Sequence, residues 1–425
     1  MEALHRRDAG LALQLARGLL QANPADPFPH FVMASAHAQM GQPGPARRSA
    51  AQAFRFADAS PDKFQAAQLA SRMALQEKRP TLAQIWLRRT AIHAPNDQVL
   101  DQVAKDYRLL RQINPWAFRL RGALRPSSNV NNGADTALQI IDGVPVIGYL
   151  SGSAQSLSGV IGTVDVSVFY RLQGTQSSKT TLGGRVYVQR VALSDSAKEQ
   201  APDVSGSDFA STFAEFQANH LWAVGPANRG GTAELGLNLG ENWYGGARNF
   251  RFVRLSGGRS WQVSPRNRLR FRLSGEKRSK ARSATYDAHI LSGEAHFMRG
   301  MANGNRLNIS AAFRDSDAAE ANGTFKSASV RVGYDFGRPI GPVRLGAALT
   351  LGYSDYPKFW HPVIRWHPGG RQDQSAYVDV NMFFSDWDYA GFAPVLRLRA
   401  GRKTSTDTRF SSREFSVSLG VESTF

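Results

Sequence analysis

A two-residue alternation of apolar and polar side chains recurs from residue 116 to the last residue of this chain. In the closing stretch, EFSVSLGVESTF, apolar residues occupy every second position from Phe415 to Val421, and small or polar residues stand between them. Successive side chains of a β-strand point to opposite faces of the sheet. The pattern therefore predicts a strand with one apolar and one polar face.

Fourteen segments of this kind follow one another, beginning near residues 116, 159, 179, 209, 230, 248, 266, 284, 304, 323, 341, 373, 389 and 410. Most are longer than the usual globular strand and long enough to cross a bilayer when tilted. An even number of strands allows the sheet to close without a free edge. The sequence therefore predicts a 14-stranded antiparallel outer-membrane β-barrel over residues 114–425.

The connections between these segments are predicted to alternate between long and short. Residues 127–158, 193–207 and 240–249 are examples of the predicted outside connections, and residues 174–178 and 264–267 are examples of the inside ones. Outer-membrane barrels have long loops outside and short turns in the periplasm, so both chain termini are expected in the periplasm. The terminal aromatic, Phe425, resembles the signal by which the outer-membrane insertion machinery recognises its clients.

Residues 1–113 have a different period. They are rich in Ala, Leu, Gln and Arg with helical spacing, and short breaks such as NPADP interrupt them. Ala46 lies 34 residues after Ala12, and Pro24 follows Ala12 by twelve. This resembles the tetratricopeptide repeat, with an ordinary helical bundle as the alternative. We expect residues 1–113 to form a periplasmic helical domain whose surface binds protein partners.

Composition narrows the remaining classes of function. The formal net charge is +18, but the arginines are dispersed along the chain, which disfavours nucleic-acid binding. Cysteine is absent, so disulfides and thiol chemistry are excluded. The first twenty residues resemble a helix face rather than a signal peptide. The chain is then either cytoplasmic or given without its export signal, and the barrel pattern favours the second.

If the apolar row of each strand faces lipid, the other row faces the lumen of the barrel. The predicted lumen-lining basic residues are Arg119, Arg121, Arg171, Arg185, Arg268, Arg270, Arg272, Arg306, Arg314, Arg331, Arg344, Arg397 and Arg399. Fewer acidic residues share that row: Asp165, Glu234, Asp335, Asp379, Glu414 and Glu422. The lumen is therefore predicted to be net basic, with ion pairs across it. Two interpretations stay open. The arginines either provide the polar side chains that any barrel interior needs, or they create an electrostatic field that favours anionic or acidic passengers.

The sequence predicts no enzyme, no cofactor and no metal site. His361 and His367 lie six residues apart in a predicted outside loop, without a pattern of carboxylates nearby. His289 and His296 are seven apart, which places them on opposite faces of a strand. The Gly-x-Ser-x-Gly elbow of serine hydrolases is also absent.

Two stretches carry a resemblance to a known family. The first follows the opening strand as a P-x-SN-x-N motif, formed by Pro126, Ser128, Asn129, Asn131 and Asn132. The second is an aromatic–Gly–aromatic–x–Pro turn before the last two strands, formed by Tyr389, Gly391, Phe392 and Pro394. With helical repeats followed by a 14-stranded barrel, the chain resembles the surface lipoprotein assembly modulators (Slam), the outer-membrane translocons of type XI secretion.

The resemblance implies an outer-membrane translocon of Gram-negative bacteria that helps surface lipoproteins or secreted proteins reach the cell surface. Periplasmic repeats would engage the cargo, which is frequently a metal- or haem-capturing protein, and no cofactor would be required. The motif asparagines would either brace the first outside loop through side-chain to backbone hydrogen bonds or form a plain turn.

Three other functions compete with export of proteins. Polysaccharide exporters also join tetratricopeptide repeats to a barrel, but they usually have more repeats and sixteen strands. An anion-selective porin needs only the basic lumen and has no need of a helical domain. An adhesin or receptor is favoured if the loop at residues 354–374 binds a ligand through its aromatic residues, which are Tyr356, Phe359, Trp360 and Trp366.

Overall fold

The computed structural model describes residues 1–141, 144–172, 174–226, 230–361, 365–366, 369–387, 389 and 392–423. The chain divides into two compact units, one built mainly on Met1–Ala117 and the other on Phe118–Trp387 with Pro394–Glu422. Within the described residues, no helix combines the length and apolar character needed to cross a membrane.

The first unit is helical, as the sequence predicts. Its helices are α1 (Glu2–His5), α2 (Ala9–Ala22), α3 (Pro27–Gln39), α4 (Pro43–Phe56), α5 (Ser60–Gln76), α6 (Pro80–Ile92) and α7 (Asp97–Ile113). Proline stands in the first turn of α3, α4, α5 and α6, where the missing N–H would have no intrahelical partner. The side chains of Asp8, Asp26 and Asn96 cap α2, α3 and α7.

Small residues form much of the core of the helical unit. The fully buried alanines of its larger cluster are Ala34, Ala50, Ala67, Ala70, Ala74 and Ala83. They surround the larger side chains of Trp86 and Tyr107, and each helix packs against the next one along the chain. Alanine at these contacts allows neighbouring helices to approach closely. The assignment of these helices to the tetratricopeptide repeat stays a prediction.

The second unit contains a closed barrel. The strands, in chain order, are β1 (Trp116–Ser127), β2 (Leu138–Ile141), β3 (Val144–Tyr149), β4 (Gly159–Arg171), β5 (Ser178–Leu193), β6 (Ser211–Val224), β7 (Gly231–Tyr244), β8 (Ala247–Ser264), β9 (Asn267–Lys280), β10 (Ala288–Gly300), β11 (Arg306–Ala318), β12 (Phe325–Asp335), β13 (Arg344–Tyr356), β14 (Trp360–His361), β15 (Arg365–Trp366), β16 (Arg371–Phe383), β17 (Phe392–Ser405) and β18 (Ser412–Ser423). The pairs β2–β3 and β14–β15 form separate hairpins, and the other fourteen strands close into one sheet. The predicted 14-stranded barrel is confirmed.

Cross-strand register places side chains of like character on the same face. Leu124 lies opposite Leu419, and Val332 lies opposite Leu349. These four residues belong to an exposed apolar row that runs round the barrel, and Leu273 in the same row is 63% exposed. We call this the outer face and the alternate positions the inner face. A continuous exposed apolar belt is the surface by which a barrel contacts lipid.

The connections define two ends of the barrel. The connections that follow β1, β5 and β13 lie at the end that we call the long-loop end; their described residues are 128–141, 144–158, 194–210, 357–361, 365–366 and 369–370. The connection that follows β4, described at residues 172 and 174–177, lies at the opposite, short-turn end. A short helix, α8 (Asp195–Gln200), lies within the second of the long connections.

One connection that the sequence predicts to be long is a two-residue turn in the structure. Residues 240–249 belong mostly to β7 and β8, and only Gly245 and Gly246 form the turn between them. Both glycines have positive φ, at 56° and 76°. This backbone suits the tightest hairpin turn, so the strands continue to the turn where the sequence predicted a loop.

Candidate transport pathway of the barrel

The predicted lumen-lining arginines all lie on barrel strands, at positions that alternate with the exposed apolar row. Arg119 and Arg121 are on β1, Arg171 on β4, Arg185 on β5, Arg268, Arg270 and Arg272 on β9, Arg306 and Arg314 on β11, Arg331 on β12, Arg344 on β13, and Arg397 and Arg399 on β17. The same alternation places four further arginines on the inner face that the sequence pattern did not predict there: Arg125, Arg254, Arg278 and Arg371. Next to Arg254 on the same face of β8 lies the buried, apolar Phe252. Polar and apolar residues therefore do not alternate regularly in this part of the sequence.

Two carboxylates on the inner face each bind a pair of arginines. Glu234 lies 2.7 Å from Arg270 and 3.0 Å from Arg272. Glu276 lies 2.5 Å from both Arg254 and Arg278, and its side chain is almost completely buried. A buried carboxylate requires such partners, because burial without them would favour its neutral form. These arginines therefore stabilise the wall of the barrel.

A longer network of ion pairs links five strands of the inner face. Its members, in spatial order, are Arg331, Asp379, Arg399, Glu414 and Arg125. The successive distances are 2.5 Å, 3.5 Å, 3.7 Å and 2.5 Å. The network runs from β12 through β16, β17 and β18 to β1. It therefore crosses the seam at which the last strand meets the first.

A second set of inner-face arginines has no carboxylate within ion-pair distance among the residues that the structure describes. These turn-side arginines are Arg119, Arg121, Arg268, Arg306 and Arg344. Arg268 donates to the side-chain oxygen of Gln262 at 3.2 Å instead. All five lie in the half of their strand that adjoins the short-turn end. These five arginines outnumber the one inner-face carboxylate at the end of β12, Asp335, which lies opposite Arg306 in the register of β11 and β12. The short-turn end of the inner face therefore has a positive field.

Buried polar side chains join the connections at the long-loop end. Gln139 Nε2 lies 2.7 Å from His361 Nε2 and donates to Asp407 Oδ1 at 3.4 Å. The Ile140 N–H donates to Thr408 Oγ1 at 2.8 Å. Gln139, His361 and Asp407 are all buried. These contacts hold the first long connection against the connections that precede β16 and β18.

Arg371 forms a second buried centre at the same end. Its guanidinium carbon lies 3.7 Å from the centroid of the Tyr356 ring, 3.8 Å from that of Phe410 and 4.4 Å from that of Phe359. Asp373 lies 3.2 Å from its Nε, and Arg371 as a whole is only 6% exposed. A cation enclosed by rings and one carboxylate is strongly held. Arg371 therefore fastens β13 and β16 to the connection before β18.

Two asparagines of the P-x-SN-x-N motif form hydrogen bonds to the backbone of the first long connection. Asn129 donates from Nδ2 to the Gly133 carbonyl at 2.9 Å and accepts from the Gly133 N–H at 2.8 Å. Asn131 donates to the Gln155 carbonyl at 2.7 Å and accepts from the Leu157 N–H at 2.9 Å. The Asn131 bonds close the two ends of this connection onto each other, whereas the Asn129 bonds close a local turn. Of the two interpretations of these asparagines, the structure supports bracing for Asn131 and a turn for Asn129.

The other motif residues have local roles. Asn132 adopts a positive φ of 54°, a conformation that asparagine tolerates better than most residues. Pro126 lies at the outer-face position of β1, and the Ser128 N–H lies 3.4 Å from the Phe415 carbonyl. A Cβ added at Gly133 would lie 2.1 Å from the Gln155 carbonyl oxygen, so the braced connection requires glycine there.

Some predicted residues cannot be placed. Phe425, Gly391 and His367 lie outside the described residues. Within the described part of the chain, no three His, Asp or Glu side chains converge as a metal-binding group. His289 and His296 occupy alternate faces of β10, as their spacing predicts.

The helical unit offers a separate candidate surface. Leu11, Leu15 and Leu19 stand four residues apart on α2 and are all exposed, Leu15 by 56%. Residues at this spacing lie on one face of a helix. An exposed leucine row of this kind suits contact with another protein.

Comparison with known proteins gives structural likeness only. No family model matches the chain, and no curated protein matches it. An outer membrane channel from Pseudomonas putida F1 is similar, with 12% identity over 71% of this chain and 93% of that one and a TM-score of 0.33. OpdK from Pseudomonas aeruginosa is 10% identical over 72% of this chain and 97% of its own length, with a TM-score of 0.33. A bacterial polysaccharide outer membrane secretin is 10% identical over 72% of this chain and 98% of its own length, with a TM-score of 0.31. At these scores the likenesses assign neither substrate nor family, and the barrel is established by its own strand pairing.

Proposed function

We propose that this protein is an outer-membrane translocon that exports proteins, with surface lipoproteins or secreted proteins as its cargo. The observation that carries the proposal is the exposed leucine row of α2, on a helical unit that shares one chain with a closed barrel. A barrel for small solutes has no use for such a surface. We place the helical unit in the periplasm, where it engages cargo before export.

Two further features support this proposal. The motif at residues 126–132 and the order of helical unit and barrel resemble the Slam translocons. The turn-side arginines offer positive charge to a passenger that enters from the short-turn end, which suits an acidic polypeptide. In this scheme the barrel inserts through the outer-membrane insertion machinery, which reads the terminal Phe425.

An anion-selective porin is the second candidate. The same turn-side arginines would attract small anions into the lumen without any help from the helical unit. The two functions make different predictions for cells that lack this protein. A translocon predicts the loss of proteins from the cell surface, whereas a porin predicts the loss of conductance alone.

Surface labelling of intact cells tests the export function even while the cargo is unidentified. Cells with and without this protein are labelled with a membrane-impermeant biotin reagent, and the labelled proteins are identified by mass spectrometry. The translocon predicts that at least one lipoprotein or secreted protein disappears from the labelled set while its total cellular amount persists. An unchanged labelled set would contradict export.

Two variants on α2 sharpen the experiment. Leu15→Glu places a charge in the exposed leucine row, whereas Gln14→Glu places the same charge beside the row on the same helix. The proposal predicts that only Leu15→Glu reduces cargo display at an equal amount of protein in the membrane. The porin is tested by the reversal potential of the purified protein in a KCl gradient, where it predicts stable conductance with anion preference.

A further inference from the structure

The outer face of the barrel has a groove near its long-loop end. The groove lies across β12, β13, β16 and β17 and has a volume of about 570 Å³. This volume is in the range of sites that hold a single small ligand. Because the outer face of a membrane barrel contacts lipid, the occupant of such a groove comes from the bilayer or is another membrane protein.

The register of the four strands arranges the lining of the groove in two rows. One row is Val330, Leu351, Ala376 and Arg402, and the next row toward the long-loop end is Ala328, Tyr353, Gln374 and Thr404. The small side chains of Ala328 and Ala376 leave the space that their larger neighbours border. Leu351 is 51% exposed and Tyr353 46% exposed. Part of the groove is therefore an apolar slot that suits a hydrocarbon chain.

The groove lies where the apolar belt of the outer face ends. In the row beyond it, Lys326 lies opposite Asp355, and Asp355 lies opposite Gln372. Charged side chains are costly within the hydrocarbon core of a bilayer, so a row of this kind belongs beside the lipid headgroups. The groove thus extends from the headgroup level into the apolar belt.

Arg402 is the basic residue of this groove, and its environment is unusual. Among the described residues, no carboxylate lies within ion-pair distance of its guanidinium. Four other cations on the outer face near the long-loop end each have a carboxylate partner, at distances from 2.5 to 3.8 Å. The pairs are Arg251 with Glu241, Lys277 with Asp287, Lys326 with Asp315, and Arg413 with Asp135. A lipid-facing arginine without an anion on the protein is costly unless it reaches a headgroup.

The polar part of the groove suits an anion. A guanidinium can donate two parallel hydrogen bonds to a phosphate. Gln374 and Thr404 line the same groove and can each donate one more. None of the described lining residues is acidic. Asp355, in the row beyond, accepts a hydrogen bond from Gln372 Nε2 at 3.1 Å.

We propose that this groove binds an anionic lipid from the leaflet on the long-loop side, with the lipid phosphate on Arg402 and an acyl chain between Ala328 and Ala376. Charge complementarity decides the occupant. An uncharged chain would leave Arg402 without an anion, and a free anion would leave the apolar slot empty. The site concerns the outer face alone and does not depend on the export function.

Native mass spectrometry of the purified full chain tests the site. The protein in detergent is titrated with dimyristoyl phosphatidic acid or with dimyristoyl phosphatidylcholine, which has the same chains and no net charge. We expect a single lipid to remain bound after release from the micelle, with phosphatidic acid bound about tenfold more tightly. Equal binding of the two lipids, or no retained lipid, would overturn the proposal.

Two variants separate the charge from the slot. Arg402→Gln should weaken the binding of phosphatidic acid about tenfold, whereas Arg251→Gln, at an arginine that pairs with Glu241, should not change it. Ala376→Trp keeps the cation and fills the slot, so it should also lose the lipid. Its control is Ala347→Trp, at an outer-face alanine of β13 outside the groove. Unweakened binding by folded Arg402→Gln or Ala376→Trp protein contradicts the site.

The same spectra distinguish the lipid from other occupants. Excess inorganic phosphate should not displace phosphatidic acid, because it cannot fill the apolar slot. Displacement by phosphate, together with normal binding by Ala376→Trp, would assign Arg402 to a free anion. A dimer peak that disappears in Arg402→Gln would assign the groove to a second copy of this chain. Either result would overturn the lipid site and leave the export function untouched.

Discussion

Two groups of inner-face arginines, one at each end of the barrel, have opposite environments. At the long-loop end, Arg371 is buried between aromatic rings and beside Asp373. At the short-turn end, Arg119 and Arg344 are exposed on the inner face without a carboxylate partner among the described residues. The first arrangement fastens loops, and the second leaves positive charge exposed on the inner face. Arginine thus has a structural role in the first group and contributes to the electrostatic field of the inner face in the second.

The largest loss of stability is expected from Arg371→Leu. The substitution leaves Asp373 buried without its cation and removes the charge that the rings enclose, which should cost about 3 kcal/mol. Thermal unfolding in detergent should show a clear fall in Tm. Arg344→Leu, an exposed arginine of the same inner face, is the matched control and should leave Tm nearly unchanged. Equal falls in Tm for the two variants would contradict the structural role that distinguishes Arg371 from Arg344.

A smaller loss is expected from Gly133→Ala. The new Cβ would meet the Gln155 carbonyl at 2.1 Å, so the first long connection must move at a cost of about 2 kcal/mol. Protease treatment of intact cells should cleave within residues 128–158 of the variant faster than in the original protein. Gly275→Ala, where the added Cβ meets nothing within 4 Å, should be cleaved as slowly as the original.

Asn131→Ala should have a weaker effect at the same place. It removes the bonds to the Gln155 carbonyl and from the Leu157 N–H, each worth about 1 kcal/mol. The expected result is intermediate protease sensitivity in the same assay. If Asn131→Ala resists protease like the original protein, the connection is held by its other contacts and the asparagine is only part of a turn.

The smallest effect on stability is expected from Arg119→Gln combined with Arg344→Gln. Exposed unpaired charges contribute little to folding, so the change in the free energy of unfolding should stay below about 0.5 kcal/mol. The reversal potential in a KCl gradient should nevertheless shift toward cation preference, because the variant reduces the positive field of the lumen. Arg413→Gln, on the outer face of β18, should move neither quantity.

Sequence periodicity could predict the strands because each one carries its own local pattern. The closing row from Phe415 to Val421 lies on β18 with its apolar side chains on the outer face, as predicted. The start of β1 at Trp116 also agrees. The alternation of apolar and polar residues is a local pattern that does not depend on distant residues. For this reason the strands can be predicted from the sequence alone.

The long-loop end could not be predicted in this way. Gln139, His361 and Asp407 come from three connections far apart in the chain, and no spacing relates them. The sequence pattern assigns no role to His361, whereas the structure buries its ring against the side-chain amide of Gln139.

The proposed passage of a polypeptide through this barrel can be tested directly at two neighbouring residues of β12. Ser329 lies on the inner face and Val330 on the outer face. Each is replaced in turn by a photoreactive amino acid in growing cells, and the adducts are identified by mass spectrometry. If the barrel exports proteins, polypeptide adducts should form at position 329 only, with proteins that lose surface display when this chain is absent. A conducting channel that yields no polypeptide adduct at position 329 would contradict it and leave the porin.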